Sequence, residues 1–211
     1  MRNIPDFTCE HGVATLILRE IPVKEEAYCL VRWVQAGEET ALLEECRRFC
    51  RMAGAERVYA TGVQLSKEPA FRILRMTAPH PNPEEQTACL WPLLSENWES
   101  YKTLYNQAMR SVSGARSLED RDKDRLLQAG GCYFVHREET LLGLGQVEGN
   151  KLLSLVSCVP GAGQKVAETL LCLSSEELVE LTVADTNERA CRLYKHMGFL
   201  PVGVEEIWYA L

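Results

Sequence analysis

Residues 183–199, Val-Ala-Asp-Thr-Asn-Glu-Arg-Ala-Cys-Arg-Leu-Tyr-Lys-His-Met-Gly-Phe, constrain the fold of this chain more than any other stretch. A short apolar strand ends near Asn187, a residue suited to open a helix because its side-chain oxygen accepts from first-turn amides. Ala190, Leu193, Tyr194 and Met197 then recur at helical spacing on one face. Gly198 provides the left-handed stop, and Phe199 folds back over the helix end. Strand, capped helix and apolar return describe one crossover of an α/β fold.

A second crossover precedes it. Lys151–Val159 is an almost unbroken apolar run, which suggests a central strand. It leads through Cys158-Val159-Pro160-Gly161-Ala162-Gly163 into a helix whose Val166, Ala167, Leu170 and Leu171 face inward. Glycines between strand and helix let backbone approach a phosphate closely, and the free amides of the first helical turn hold its charge. Lys165, in that turn, adds a cation.

From Asn187 to Phe199 every position fits N-x-x-A-x-x-L-Y-x-x-x-G-F, which resembles the second signature of the GCN5-related N-acetyltransferases (GNAT), a family of acyl-CoA N-acyltransferases. The loop at 158–163 is similar to the family's pyrophosphate loop, Q/R-x-x-G-x-G/A, with Cys158 standing where the family has Gln or Arg. The stretch between strand and first glycine is also short, and Pro160 lacks an N–H. The resemblance implies an α/β (α+β) fold with a mixed, partly splayed sheet and flanking helices. The strands Lys151–Val159 and Leu178–Ala184 would diverge, leaving backbone near Val156, Ser157 and Cys158 to bond the pantetheine arm of acetyl-CoA. Val159, Gly161, Ala162, Gly163, Gln164 and Lys165 would hold the pyrophosphate, and Asn187 the cofactor arm. Tyr194 would face the CoA sulfur as general acid toward the departing thiolate.

The remaining chemistry is less defined. The strand 151–159 carries no carboxylate, so Glu148 and His136 are the nearest general-base candidates, with a water chain as the alternative. Tyr101 and Tyr105 lie on the helix that borders the acceptor site in the family, or else form a core stripe. Arg192, Lys195 and His196 complement the helix C-terminus. Cys158 as a nucleophile would need an activating His that the sequence does not place beside it.

Thr77-Ala-Pro-His-Pro-Asn-Pro-Glu-Glu-Gln86, with prolines at alternate positions, reads as a linker. It gives an N-terminal piece at 1–80, a linker at 81–86 and a GNAT-like domain at 87–211. After it come a strand at 89–94, a helix capped by Ser95 and a polar helix opened by Ser117-Leu-Glu-Asp120. A hairpin (132–137, 140–147), the two crossovers and a last strand at 203–209 follow. The N-terminal piece reads as strands at 15–20 and 27–34, the helix Glu39–Met52 with Leu42, Leu43, Cys46, Phe49 and Cys50 inward, and a strand at 57–61. This β-β-α-β order makes residues 14–63 a partial GNAT-like duplicate of 139–185, or a generic unit of the same order. Its turn, Gln35-Ala-Gly-Glu-Glu39, puts two carboxylates where an anion would dock.

The net charge is −7, and residues 1–83 balance 11 basic against 11 acidic side chains, so the whole excess falls in 84–211. That balance argues against a nucleic-acid partner and either suits a cationic acceptor, a small-molecule or protein amine, or serves only to keep the protein in solution. Nine cysteines without a C-x-x-C pair read as reduced thiols of a cytoplasmic protein, and Cys46 with Cys50 lacks two further ligands for a metal. The start lacks the apolar stretch of a leader, and no segment is long enough to span a bilayer, so no membrane partner is expected. The expected function is direct transfer of acetyl from acetyl-CoA to a primary amine through a tetrahedral intermediate. The alternatives are a non-catalytic CoA-binding sensor or scaffold, or a purely structural domain. A homodimer is left open.

Overall fold

A computed structural model describes residues 5–80 and 88–211; the expected linker, 81–86, lies outside the described residues. The chain divides into two compact units, Met1–Ile73 with Val204–Leu211, and Leu74–Gly203. These cuts fall inside strands, at β5 (Phe71–Pro79) and β11 (Leu200–Ala210), and not at the proline-rich run. The physical reason is pairing: the end of β11 returns to the first unit, where Tyr209 pairs with Ala60.

In the first unit β1 (Asp6–Cys9), β2 (Gly12–Ile17) and β3 (Glu26–Val34) are antiparallel neighbours. A single turn, α1 (Ile21–Lys24), joins the last two. The helix α2 (Glu39–Met52) then crosses over to β4 (Arg57–Thr61), which runs parallel to β3. Leu42, Leu43, Cys46 and Cys50 recur on one face of α2 and are buried against Leu16, Cys29, Val58 and Ala60. Phe49, expected inward with them, is 37% exposed. It packs instead on Phe7 of β1, ring centroids 5.6 Å apart, a strand too short and too polar to stand out in the sequence.

The second unit holds β6 (Cys89–Pro92), α3 (Trp98–Met109), α4 (Lys123–Ala129), β7 (Cys132–Arg137), β8 (Thr140–Glu148) and β9 (Lys151–Ser157). After them come α5 (Gly163–Leu171), β10 (Leu178–Ala184) and α6 (Glu188–His196). Its strands run in the order β5-β10-β9-β8-β7-β6. Short 3-10 turns at Ser95–Asn97 and Asp120–Asp122 stand where helix starts were expected at Ser95 and Ser117. At the second, Glu119 supplies the cap position, its amide donating to Asp122 Oδ2 at 2.9 Å.

Strand alternation sends neighbouring side chains to opposite faces and builds two cores. Phe134, Leu144 and Val156 join Trp98, Tyr101 and Leu126 beneath α3 and α4. Val135, Val147 and Leu152 join Val166, Leu170 and Leu171 beneath α5. Glycines at 143 and 145 let α5 lie directly on the backbone of β8. A Cβ at Gly143 would come within 2.9 Å of Val166 Cγ2, and one at Gly145 within 2.6 Å of Leu170 Cδ1. Fully burying side chains such as Leu170 and Leu171 contributes about 2 kcal/mol each. This fixes the helix that carries the glycine loop.

Candidate active site

Strands β9 and β10 run parallel but pair at only two positions, Glu180 with Lys151 and Leu181 with Leu152. That end is pinned further. The Glu180 amide donates to Asn150 O at 2.9 Å, Asn150 Nδ2 donates to Leu178 O at 3.1 Å, and Lys151 Nζ lies 2.8 Å from Glu180. Beyond Leu152 and Leu181 the two strands form no further ladder pair. On its other edge β9 stays paired with β8 as far as Ser157. The result is a notch, closed at the start of the strands and open toward the loop that leads into α5.

Which backbone groups face the notch follows from the register. The Cys158 amide donates to Leu142 O at 2.8 Å, on the β8 side. In an antiparallel pair successive residues point their backbone groups alternately toward and away from the partner. Val156, two residues back, therefore also turns to β8, and the notch-facing groups belong to Leu155 and Ser157. The backbone expected at Val156 and Cys158 is thus committed within the sheet, while that of Ser157 turns to the notch.

The loop after β9 is shaped by Gly161, whose φ of +83° lies in the left-handed region and which has open space where a Cβ would be. Ala162 is the N-cap of α5 and gives it no side-chain cap, so the first-turn amides of Gly163 and Gln164 lack a carbonyl one turn back. The Gln164 side chain is turned along the helix to Glu168 at 2.8 Å. Gly163 serves packing as well, since a Cβ there would meet Leu193 Cδ2 of α6 at 3.0 Å. Val159 accepts twice, from the Ser157 hydroxyl at 2.7 Å and the Ala162 amide at 3.1 Å, which fixes the turn. Cys158 is exposed, and desolvation still pushes its thiol up, the reverse of an activated nucleophile.

Asn187 caps α6: its Oδ1 accepts from the Ala190 amide at 3.2 Å. At the other end the Gly198 amide returns to Lys195 O and the Phe199 amide to Tyr194 O, with φ of Gly198 at +89°. Phe199 is buried and packs edge-on to Tyr194 at 5.8 Å. Tyr194 is buried too, and desolvation first, then Cys191, pushes its hydroxyl up to about 12. A phenol so placed stays protonated across the working range and is a hydrogen-bond donor.

The acid–base candidates scatter. Glu148 pairs with Lys151 at the closed end of the notch and is exposed. His136 is on β7 and stacks on Trp91 at 4.4 Å. Tyr101 is buried against Phe134, and burial holds its hydroxyl well above the ordinary value, so this residue is core. Tyr105, stacked on Tyr101 at 6.4 Å, lines a cavity that the sequence did not announce. Among the described residues no cluster of His, Cys, Asp and Glu is arranged to hold a metal, and no helix is long and apolar enough to cross a membrane.

No family model matches the sequence, and no curated protein matches it. Solved structures do. The chain is similar to a GCN5-related N-acetyltransferase from Sphaerobacter thermophilus (TM-score 0.54, 12% identity, 94% of this chain and 76% of that one). It is also similar to one from Anabaena variabilis (TM-score 0.59, 11% identity, 95% of this chain and 59% of that one). A tandem GNAT protein of the clavulanic acid biosynthesis pathway matches as well (TM-score 0.53, 15% identity, 95% of this chain and 78% of that one). At such identities the likeness is one of architecture: this chain has the fold of the GCN5-related N-acetyltransferases.

Proposed function

We propose that the protein is an N-acetyltransferase that moves an acetyl group from acetyl-CoA to a primary amine. The reading rests on the two-pair junction of β9 and β10, which leaves notch-facing backbone at Leu155 and Ser157 beside a glycine loop at a helix N-terminus. The residues fit the group. Gly161 has open space, the amides of Gly163 and Gln164 face the charge of a pyrophosphate, and Lys165 adds a cation in the same turn. Asn187 would cap α6 through Oδ1 and keep its amide hydrogens for the cofactor arm.

Acetyl-CoA supplies a thioester, an acyl carbon already activated for attack. The amine nitrogen attacks that carbon, forming the C–N bond of a tetrahedral intermediate whose collapse then breaks the C–S bond. The proton lost by the amine leaves through water. Tyr194 donates its hydroxyl hydrogen toward the departing sulfur, fully where the apolar surroundings also raise the thiol, and regains a proton from solvent. Most of the acceleration comes from holding amine and thioester together, which is why a dedicated carboxylate base is dispensable. We place the protein in the cytoplasm, where its nine free thiols stay reduced.

Acetyl-CoA at a hundredfold excess over its Kd should stabilise the protein by about 2.7 kcal/mol, read as a raised melting temperature. Thiol release across an amine panel should then detect turnover. A melting shift without thiol release identifies a CoA sensor or scaffold, and no shift at all overturns both.

A further inference from the structure

Beneath α3 a cavity of about 140 Å³ opens against the sheet, lined by Tyr101, Tyr105, Arg116, Arg125 and Gln146. Leu118 and Leu126 form its apolar wall. At about 30 Å³ per water it has room for roughly five waters, enough for a small polar head group. Its floor locates it. Gln146 of β8 pairs with Ser154 of β9, and Leu152 is the last residue of β9 joined to β10. The cavity therefore stands just beyond the apex of the notch, one β8 position past the pair Val147 and Leu152, across an irregularity in the β8–β9 pairing. An amine leaving the cavity toward β9 meets the notch where the thioester of an arm lying along Leu155 and Ser157 would end.

The charge of the cavity is opposite to that of the chain. Asp122, buried, takes Arg116 on Oδ1, with Arg125 on the same oxygen at 3.5 Å, while its Oδ2 accepts the Glu119 amide at 2.9 Å. Arg125 carries five N–H donors and meets Asp122 through one nitrogen, at 3.5 Å. Both arginines line the cavity, and Arg125, about half exposed, presents part of its fork to an entering anion. Gln146 adds an amide on the sheet side. A field that draws cations from a distance thus ends in a pocket built for an anion, the combination a zwitterion satisfies.

Resting on the transferase reading, we infer that this cavity holds the carboxylate of the acceptor, which makes the substrate a small amino acid and not a plain amine or polyamine. The carboxylate sits against Arg116, Arg125 and Gln146, and the amino group points to the notch. Transfer converts the amine to an amide and releases CoA thiol and one proton to solvent.

The test is thiol release on matched pairs that differ only by the carboxylate: alanine against ethylamine, ornithine against putrescine, lysine against cadaverine. The amino acid of each pair should show kcat/KM at least about tenfold higher, the worth of one charge-assisted hydrogen bond. Arg125→Gln should erase that preference by lowering only the amino-acid rates, and Arg125→Lys should recover part of it. The acetyl-CoA melting shift, unchanged in both variants, reports that the fold and notch are intact. Equal rates within pairs, or a preference that survives Arg125→Gln, overturns the inference and leaves the transferase standing. Absence of any acetyl-CoA shift or thiol release brings down the transferase reading itself.

Discussion

The stretch β2-β3-α2-β4 and the stretch β8-β9-α5-β10 repeat the same order of elements, and they differ at the place where a ligand would enter. Parallel β3 and β4 pair at five successive positions, from Glu26 with Arg57 to Leu30 with Thr61, and so use all of β4. Parallel β9 and β10 stop at two. The turn before α2 brings Glu38 and Glu39 to the helix start, with Glu38 held 3.2 Å from His11. The turn before α5 brings Gly161, Ala162 and Gly163. A third difference bears on the cause. A second crossover helix follows β10, and its Leu193 sits at the first residue of α5, where a Cβ would come within 3.0 Å. Among the described residues no such helix follows β4 before β5. The second stretch is thus set apart by a helix packed at the start of α5, next to the end where β9 and β10 part.

The contrast is sharpened most by charge at the second turn. Ala162→Asp puts a favourable cap on α5 and a carboxylate where the pyrophosphate would lie. Like charges at 4 Å cost about 4 kcal/mol in a partly solvated site, so acetyl-CoA affinity should fall roughly a thousandfold while the melting temperature holds or rises. Binding that survives this change would place the cofactor elsewhere.

Tyr194→Phe should lower kcat about a hundredfold with the acetyl-CoA melting shift intact; equal turnover would remove the acid role. The same residue makes a pH prediction. Its folded value of about 12 lies above the ordinary 10, so between those limits the unfolded chain loses a proton that the folded chain keeps. Its contribution to stability is complete below pH 10 and is lost as pH rises toward 12. Denaturant midpoints at about pH 9 and about pH 11 should differ less in Tyr194→Phe than in the unaltered protein.

A smaller effect separates the two duties of Asn187. Asn187→Asp keeps the capping oxygen and removes the amide donor, so stability should hold while acetyl-CoA binds about tenfold more weakly, the worth of one hydrogen bond. Asn187→Ala should in addition cost about 1 kcal/mol of stability in denaturant titration. The smallest expectation is a null effect in the first stretch. Glu38→Gln combined with Glu39→Gln should leave acetyl-CoA binding unchanged, and a second bound equivalent by calorimetry would break the comparison.

Local features are legible in the sequence. The caps at Asn187 and Gly198 and the buried stripe of α5 depend on residues within a few positions of one another, and the backbone follows them. The parity of β9 is not legible. Whether Val156 or Leu155 faces the notch is a one-residue question, and an apolar strand buried on both faces reads alike in either register. Prolines hide β5, whose end, residues 77–79, has the composition of a linker although Met76 and Ala78 are buried. Phe49 escapes the helical pattern because its partner, Phe7, belongs to a strand that periodicity does not reveal. Tyr101 and Tyr105 share one helical stripe and both line the cavity, yet Tyr101 is fully buried in the core and Tyr105 is only half-buried.

The order of amino acids by itself determined the two late crossovers, the glycine turn and the ends of α6, because each is settled by hydrogen bonds and dihedral preferences between near neighbours. Only tertiary structure decided that β9 and β10 part after two pairs while β3 and β4 stay joined, and that Arg116, Arg125 and Gln146 converge on one cavity. Those outcomes depend on how helices fill the space against strands distant in sequence, and no local pattern records that.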